Sequence, residues 1–242
     1  MSPGFEGRES DEGGAFRLIP VLDLRHGGVV RARAGERHAY APIRTPLASG
    51  SAPADIARGL LAACPSDTLY LADLDAIMDG AAPDLASLAA VARACPGVHL
   101  WVDAGFADQD GLARFMATGL GRPVVGSESQ QDAGLVRDHG TRVVLSLDTR
   151  GGERLGPAVL HEEPALWPDD VIVMTLARVG TGSGPDLAAI RAVAERRSGL
   201  RVHAAGGVRG PEDVAALRRI GAAGALVASA IHDGRLPSSG VT

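Results

Sequence analysis

Three separate stretches of this chain recur at one spacing, and that regularity restricts the possible fold more than any other feature. Gly80-Ala-Ala-Pro83-Asp84-Leu85 returns as Gly182-Ser-Gly-Pro185-Asp186-Leu187. Val102-Asp103-Ala104-Gly105-Phe106 aligns with Ala204-Ala205-Gly206-Gly207-Val208, and Pro123-Val124-Val125-Gly126-Ser127 with Ala225-Leu226-Val227-Ala228-Ser229. The members of each pair stand 102 positions apart. A fourth pair, Leu22-Asp23-Leu24-Arg25-His26-Gly27-Gly28 and Leu147-Asp148-Thr149-Arg150-Gly151-Gly152-Glu153, stands 125 apart, so the first unit carries 23 extra residues.

The repeated pieces are short apolar runs alternating with Ala-rich amphipathic segments. Residues 17–23, with a Pro tolerable at an early strand position, and Thr68–Asp73 read as strands, while helices are expected over Ala54–Cys64, Asp84–Ala94 and Asp186–Arg196. Apolar strands that alternate with helices are buried on both faces and form a parallel sheet. Two halves of four strand-helix units predict an α/β fold, a (β/α)8 TIM barrel built from two half-barrel repeats. An open α/β sheet would not require the halfway symmetry, and 242 residues is close to the length of one barrel. The expected division is a disordered leader over 1–16, polar and acidic through Glu6, Glu9, Asp11 and Glu12, a barrel over 17–235 and a tail over 236–242.

A formal charge of −5 argues against a nucleic-acid partner, whose footprint is a basic face. The leader has no apolar core of a secretion signal, and no run approaches the ~18 apolar residues of a membrane span, so no membrane partner is expected. Cys64 and Cys95 lie in helical segments and read as reduced, buried thiols of a cytoplasmic protein.

In such a barrel all loops that follow strands share one face, so residues ending strands one and five lie opposite each other across its mouth. Asp23 and Asp148 therefore suit a general base and a general acid on two sides of a substrate. Either one alone could simply pair with Arg25 or Arg150; their symmetric placement weighs against that. A phosphate site is expected where Gly206-Gly207 and Ala228-Ser229 close strands seven and eight, since backbone N–H groups converge there. Gly105 and Gly126-Ser127 offer a poorer counterpart, because Asp103 puts a negative charge where the other half has Ala205. The 23 extra residues belong to a polar segment from His26 to about Pro53. Its Arg31, Arg33, Arg37 and Arg44 suit a lid or clamp on an anionic ligand; a solvated hairpin or an oligomer contact fits equally well. His26 and His38 read as surface loop residues, His99 and His203 as structural. No Cys, His and Asp cluster has metal-ligand spacing, so no metal is expected.

With these residues in place, the chain resembles the histidine-biosynthesis barrel family, and within it the phosphoribosylformimino-aminoimidazole-carboxamide ribotide isomerases. The resemblance runs from about Leu18 to Gly234 and rests on Ile19-Pro-Val-Leu-Asp-Leu24, Leu71-Ala-Asp-Leu-Asp-Ala76, Leu147-Asp-Thr-Arg-Gly-Gly152 and Ala205-Gly-Gly-Val-Arg209. It implies an Amadori rearrangement of a phosphorylated aminoaldose without a cofactor. Asp23 would be the base, Asp148 the acid that opens the ribose ring, and Thr175 would assist. The chain departs from that pattern at Val179, where the family has Asp, at Asp103-Ala104 in place of a Gly pair, and at Ala228 in place of Gly. In these traits it is similar to a divergent, isomerase-related branch of archaea and methylotrophs linked to pterin-type one-carbon cofactor synthesis. Two further readings follow: another phosphorylated substrate in that biosynthesis, or a phosphate-ligand-binding protein without turnover.

Overall fold

The repeat spacing survives in the folded chain. A computed structural model describes residues 15–32, 36 and 40–236, and within them eight strands run parallel. These are Arg17–Arg25 (β1), Thr68–Asp73 (β2), His99–Asp103 (β3), Arg122–Gly126 (β4), Val144–Arg150 (β5), Asp170–Thr175 (β6), Arg201–Ala205 (β7) and Gly224–Val227 (β8). Each pairs with the next, and β8 pairs with β1, from Arg17 opposite Gly224 to Pro20 opposite Val227, so the sheet closes into a (β/α)8 barrel. The bounds of β2 and β6, of β3 and β7, and of helices Gln109–Ala117 and Pro211–Arg219 coincide under the 102-residue shift.

Strand periodicity sorts the apolar residues into two cores. On β2, Leu69 and Leu71 point outward into the shell between barrel and helices, where they join Leu22, Val102 and Val202. Tyr70 and Ala72 point into the lumen with Ile19, Trp101, Val144 and Ile172. Burial on both faces explains why the strands read as continuous apolar runs.

The helix starts differ slightly from expectation. The helices are Leu85–Ala94 and Leu187–Ala194, with Asp84 and Asp186 just outside them as N-caps. The Asp84 carboxylate accepts from the Ser87 N–H at 3.0 Å, and Asp186 accepts from Ala189 at 3.1 Å. An acid in this role must leave helical backbone geometry, which is why both fall one position before the helix. The first helix runs Pro53–Ala63, one residue earlier than expected at each end.

The motif shared by β1 and β5 encodes a hairpin. After β1 the chain turns through His26-Gly27, with φ of 50° and 73°, and returns as the antiparallel strand Gly28–Arg31. After β5 it turns through Gly151-Gly152, with φ of 60° and 89°, and returns as Glu153–Arg154. Tight two-residue turns of this hand need positive φ at both positions, hence glycine at three of the four, with His26 adopting that backbone at the other. The extra residues of the first unit add a third antiparallel strand, Ala41–Pro42. The polar segment after β1 is thus built, where described, as a hairpin.

The opposite end of the barrel is locked by one buried carboxylate. Asp170, at the start of β6, accepts two bonds of 2.8 Å from Arg201, one of 2.5 Å from Arg122, one of 3.4 Å from Arg17 and one of 3.0 Å from His203. Trp101 packs beneath, with His203 edge-on at 5.0 Å. These donors hold the Asp170 carboxyl far below the usual carboxylate range even though burial opposes them. His203 is wholly buried, and burial pushes its imidazole down, which fits a neutral ring.

Phe16 packs against the core under the Arg218 guanidinium, and Leu236 is buried. Residues 1–14 and 237–242 lie outside the described residues. Cys64 and Cys95 are free and buried. No helix among the described residues is long and apolar enough to cross a membrane.

Candidate active site

The C-terminal ends of the strands surround a cavity of about 930 Å³, counting its open mouth. Asp23 enters it from β1 and Asp148 from β5, so the duplicated carboxylates do share one cavity. Asp148 is the deeper of the two. Its Oδ1 accepts from the Ser146 hydroxyl at 2.6 Å, and its Oδ2 accepts from the Glu128 N–H at 3.1 Å and faces the Ser127 hydroxyl at 3.3 Å. Those donors favour the charged form, yet burial, with the charges of Glu128 and Asp103, wins and pushes the Asp148 carboxyl up to about 7. Near neutrality Asp148 therefore holds a proton that it can give away.

Asp103 and Tyr70 complete this side. The Asp103 carboxylate accepts from the Tyr70 hydroxyl at 3.1 Å and from the Gly105 N–H at 3.1 Å. Burial and then the charges of Asp103, Asp148 and Asp23 push the Tyr70 phenol well above its ordinary value, so it remains a neutral donor. Gly126 lets the acids approach one another: a Cβ there would lie 3.2 Å from Asp148 Oδ2 and 3.6 Å from Asp103 Oδ2.

The candidate phosphate residues of the first half stand beside these acids. Gly105, Gly126 and Ser127 are not part of the cavity wall. Ser127 is fully buried and its hydroxyl accepts from the Asp148 N–H at 2.9 Å, while the Gly105 N–H is taken by Asp103. Ser127 therefore bonds both the carboxylate and the N–H of Asp148 on β5.

The second half differs. Gly206, Gly207, Ala228 and Ser229 all line the cavity. Gly206 and Gly207 have φ of 100° and 86°, and a Cβ on Gly207 would sit 2.3 Å from the Gly184 carbonyl oxygen, so the loop after β6 can pack tightly here only against glycine. That loop brings Val179 and Gly180 to the wall.

Thr175 does not reach the cavity. Its neighbours Met174 and Leu176 line it, whereas Thr175 is buried, with its carbonyl against Gly206. Arg31 is also elsewhere: its guanidinium binds Asp233 at 2.6 Å and ties the β1 hairpin to the segment after β8. Asp233 in turn accepts at 2.9 Å from Arg235, which does line the cavity. Arg33, Arg37 and His38 lie outside the described residues, but the same loop contributes Ala32 and Tyr40 to the wall.

Four contributors escaped the sequence reading: Ser146, Tyr70, Glu128 and Arg235. Ser146 and Tyr70 carry a usable signal, since strand alternation puts Ser146 on the same face as Asp148 and turns Tyr70 into the lumen. Glu128 sits in the short 3-10 turn Ser127–Ser129 and Arg235 just past the helical turn Ser229–His232, and neither belongs to a periodic pattern. Among the described residues no group of three or more His, Cys, Asp or Glu side chains could hold a metal.

Comparison with known proteins gives a consistent picture. The family model described as histidine biosynthesis protein matches residues 17–237. The 1-(5-phosphoribosyl)-5-((5-phosphoribosylamino)methylideneamino)imidazole-4-carboxamide isomerase of Stenotrophomonas maltophilia is 31% identical, covering 92% of this chain and 96% of its own. The isomerase of the same name from Moorella thermoacetica is 28% identical, with 90% and 93% covered. An uncharacterized protein of Methanocaldococcus jannaschii is similar at 28%, with 91% and 95% covered.

Proposed function

The chain belongs to the histidine biosynthesis protein family, and from that premise we propose that it is an acid/base isomerase performing an Amadori-type rearrangement of a phosphorylated aminoaldose. The observation that carries this reading is a buried Asp148 in one cavity with Asp23, its carboxyl pushed up by burial to about 7. Asp148 protonates the ring oxygen as the bond from that oxygen to C1 breaks and the nitrogen lone pair forms the C1=N bond. Asp23 then removes the C2 proton, giving an enaminol that tautomerises to the aminoketose. Atoms and electrons balance within the substrate, which is what makes the step an internal aldose-to-ketose redox change. The substrate phosphate rests on the backbone at Gly206-Gly207 and Ala228-Ser229.

The test is turnover of phosphorylated aminoaldoses, among them the compound in the relatives' name and a 5-phosphoribosylamine with an uncharged N-substituent, followed by the appearance of the ketose carbonyl in the NMR spectrum. Wild type should convert at least one, while Asp23→Asn and Asp148→Asn should convert none at a comparable rate. Absence of conversion across the whole set sinks the reading.

Asp103 and Val179 favour a second reading within the same chemistry, in which the phosphorylated substrate belongs to pterin-type one-carbon cofactor synthesis. Both line the cavity.

A further inference from the structure

The two halves of the cavity treat anions in opposite ways at equivalent positions. In the second half Ala205 carries no charge, and Gly206 and Gly207 reach the cavity wall. In the first half the matching residue is Asp103, whose carboxylate accepts from the N–H of Gly105, the residue equivalent to Gly207, at 3.1 Å. The backbone donor that a ligand phosphate would use is thus already satisfied by a carboxylate of the chain. The Tyr70 hydroxyl bonds the same carboxylate at 3.1 Å, and Glu128 and Asp148 line the cavity beside it.

We propose that Asp103 determines substrate class: it stands as a built-in anion where the opposite half receives a phosphate. The enzyme therefore takes a monophosphate whose far end carries no negative charge. This rests on the reading that Gly206-Gly207 and Ala228-Ser229 hold the substrate phosphate. Geometry and charge act together here. Asp103 removes the Gly105 donor from use, and any second phosphate placed near β3 and β4 would meet the Asp103 carboxylate at close range in a partly desolvated cavity, where like charges repel strongly. The substrate's far end would instead meet acceptors, so hydroxyl or amino groups suit it.

Calorimetric titration of the full chain with ribulose 5-phosphate and with ribulose 1,5-bisphosphate tests the idea, using wild type, Asp103→Asn and Asp103→Gly. Asn keeps the shape and can still accept from Gly105, so it isolates the charge; Gly also releases the N–H. Wild type should bind the monophosphate at least as tightly as the bisphosphate. The ratio of the two affinities should move at least tenfold toward the bisphosphate in Asp103→Asn and further in Asp103→Gly. A wild type that prefers the bisphosphate tenfold, with a ratio unmoved by Asp103→Asn, overturns the role of Asp103 and leaves the phosphate pole standing. Equal weakening of both ligands in the variants also overturns it, because that marks Asp103 as merely structural. If wild type binds neither sugar phosphate, or if Gly207→Asp binds both as well as wild type does, the phosphate pole itself falls and this inference with it.

Discussion

Asp148 and Asp170 are both almost inaccessible carboxylates of barrel strands, at opposite ends of the lumen, and their surroundings drive them in opposite directions. Asp170 has three Arg and a His around it and stays ionised far into acid. Among the described residues Asp148 is given hydroxyls and one backbone N–H, with two further acids nearby, and it rises to about 7. Burial penalises charge at both sites, so the choice of partners decides the outcome. Cations at the N-terminal end convert burial into a lock; at Asp148, whose carboxylate is bonded by no cation among the described residues, a proton stays available. That division matches the way barrels separate stability from chemistry between their two faces.

The most severe way to break the comparison is Asp170→Asn. It leaves Arg17, Arg122 and Arg201 around a neutral group, and removing one partner from a buried charge cluster costs about 3–5 kcal/mol. A lowered melting temperature should report this, with turnover per folded molecule nearly unchanged. The pH dependence has a definite sign. The Asp170 carboxyl lies below its unfolded value, so its contribution is present above about pH 4 and disappears as pH falls below that. In Asp170→Asn the acid limb of the stability curve should flatten; an unchanged limb would mean that the cluster is not what holds the lower end.

Asp148→Asn should do the reverse. Turnover falls about 10²- to 10⁴-fold with the loss of a positioned acid. The raised carboxyl contributes stability that is complete below about pH 4 and is lost as pH rises through about 7. Relative to wild type, the variant should therefore gain stability between those limits, by up to about 4 kcal/mol at one pKa unit per 1.36 kcal/mol. Chemical denaturation at pH 5 and pH 8 measures the difference; a gap that does not widen with pH would mean that Asp148 is ionised throughout.

Much of the fold and part of the site are legible in the sequence. The 102-residue spacing predicted the barrel and the opposition of Asp23 and Asp148, because a duplicated half-barrel leaves its strand ends at fixed intervals. The Gly206-Gly207 loop was legible too, since positive φ beside a close backbone approach admits little else. What sequence could not show was occupancy. Ser127 looks like Ser229 under the repeat, yet one is buried against Asp148 and the other faces the cavity, because β5 supplies a carboxylate and N–H close enough to bind it. Asp170 was invisible for the same reason. Its partners come from β1, β4 and β7, and no local pattern joins Arg17, Arg122, Arg201 and His203. Thr175 was placed by resemblance, and its strand register carries it out of the cavity wall.

Ser146→Ala is the gentlest probe and bears directly on why the two acids differ. The Ser146 hydroxyl, 2.6 Å from Asp148 Oδ1, is the strongest of the donors that hold the Asp148 carboxyl down against burial. Removing it weakens the charged form, so the carboxyl should climb above 7 and the basic limb of the kcat/KM profile should move to higher pH by up to about one unit, roughly 1.4 kcal/mol. Activity near pH 6 should change by less than tenfold, since the acid is already protonated there. Ser146→Thr keeps the hydroxyl and should restore the limb, which a packing defect alone would not do. If the limb stays in place in Ser146→Ala, some other group titrates in it. The proton that distinguishes Asp148 from Asp170 would then have no part in the rate.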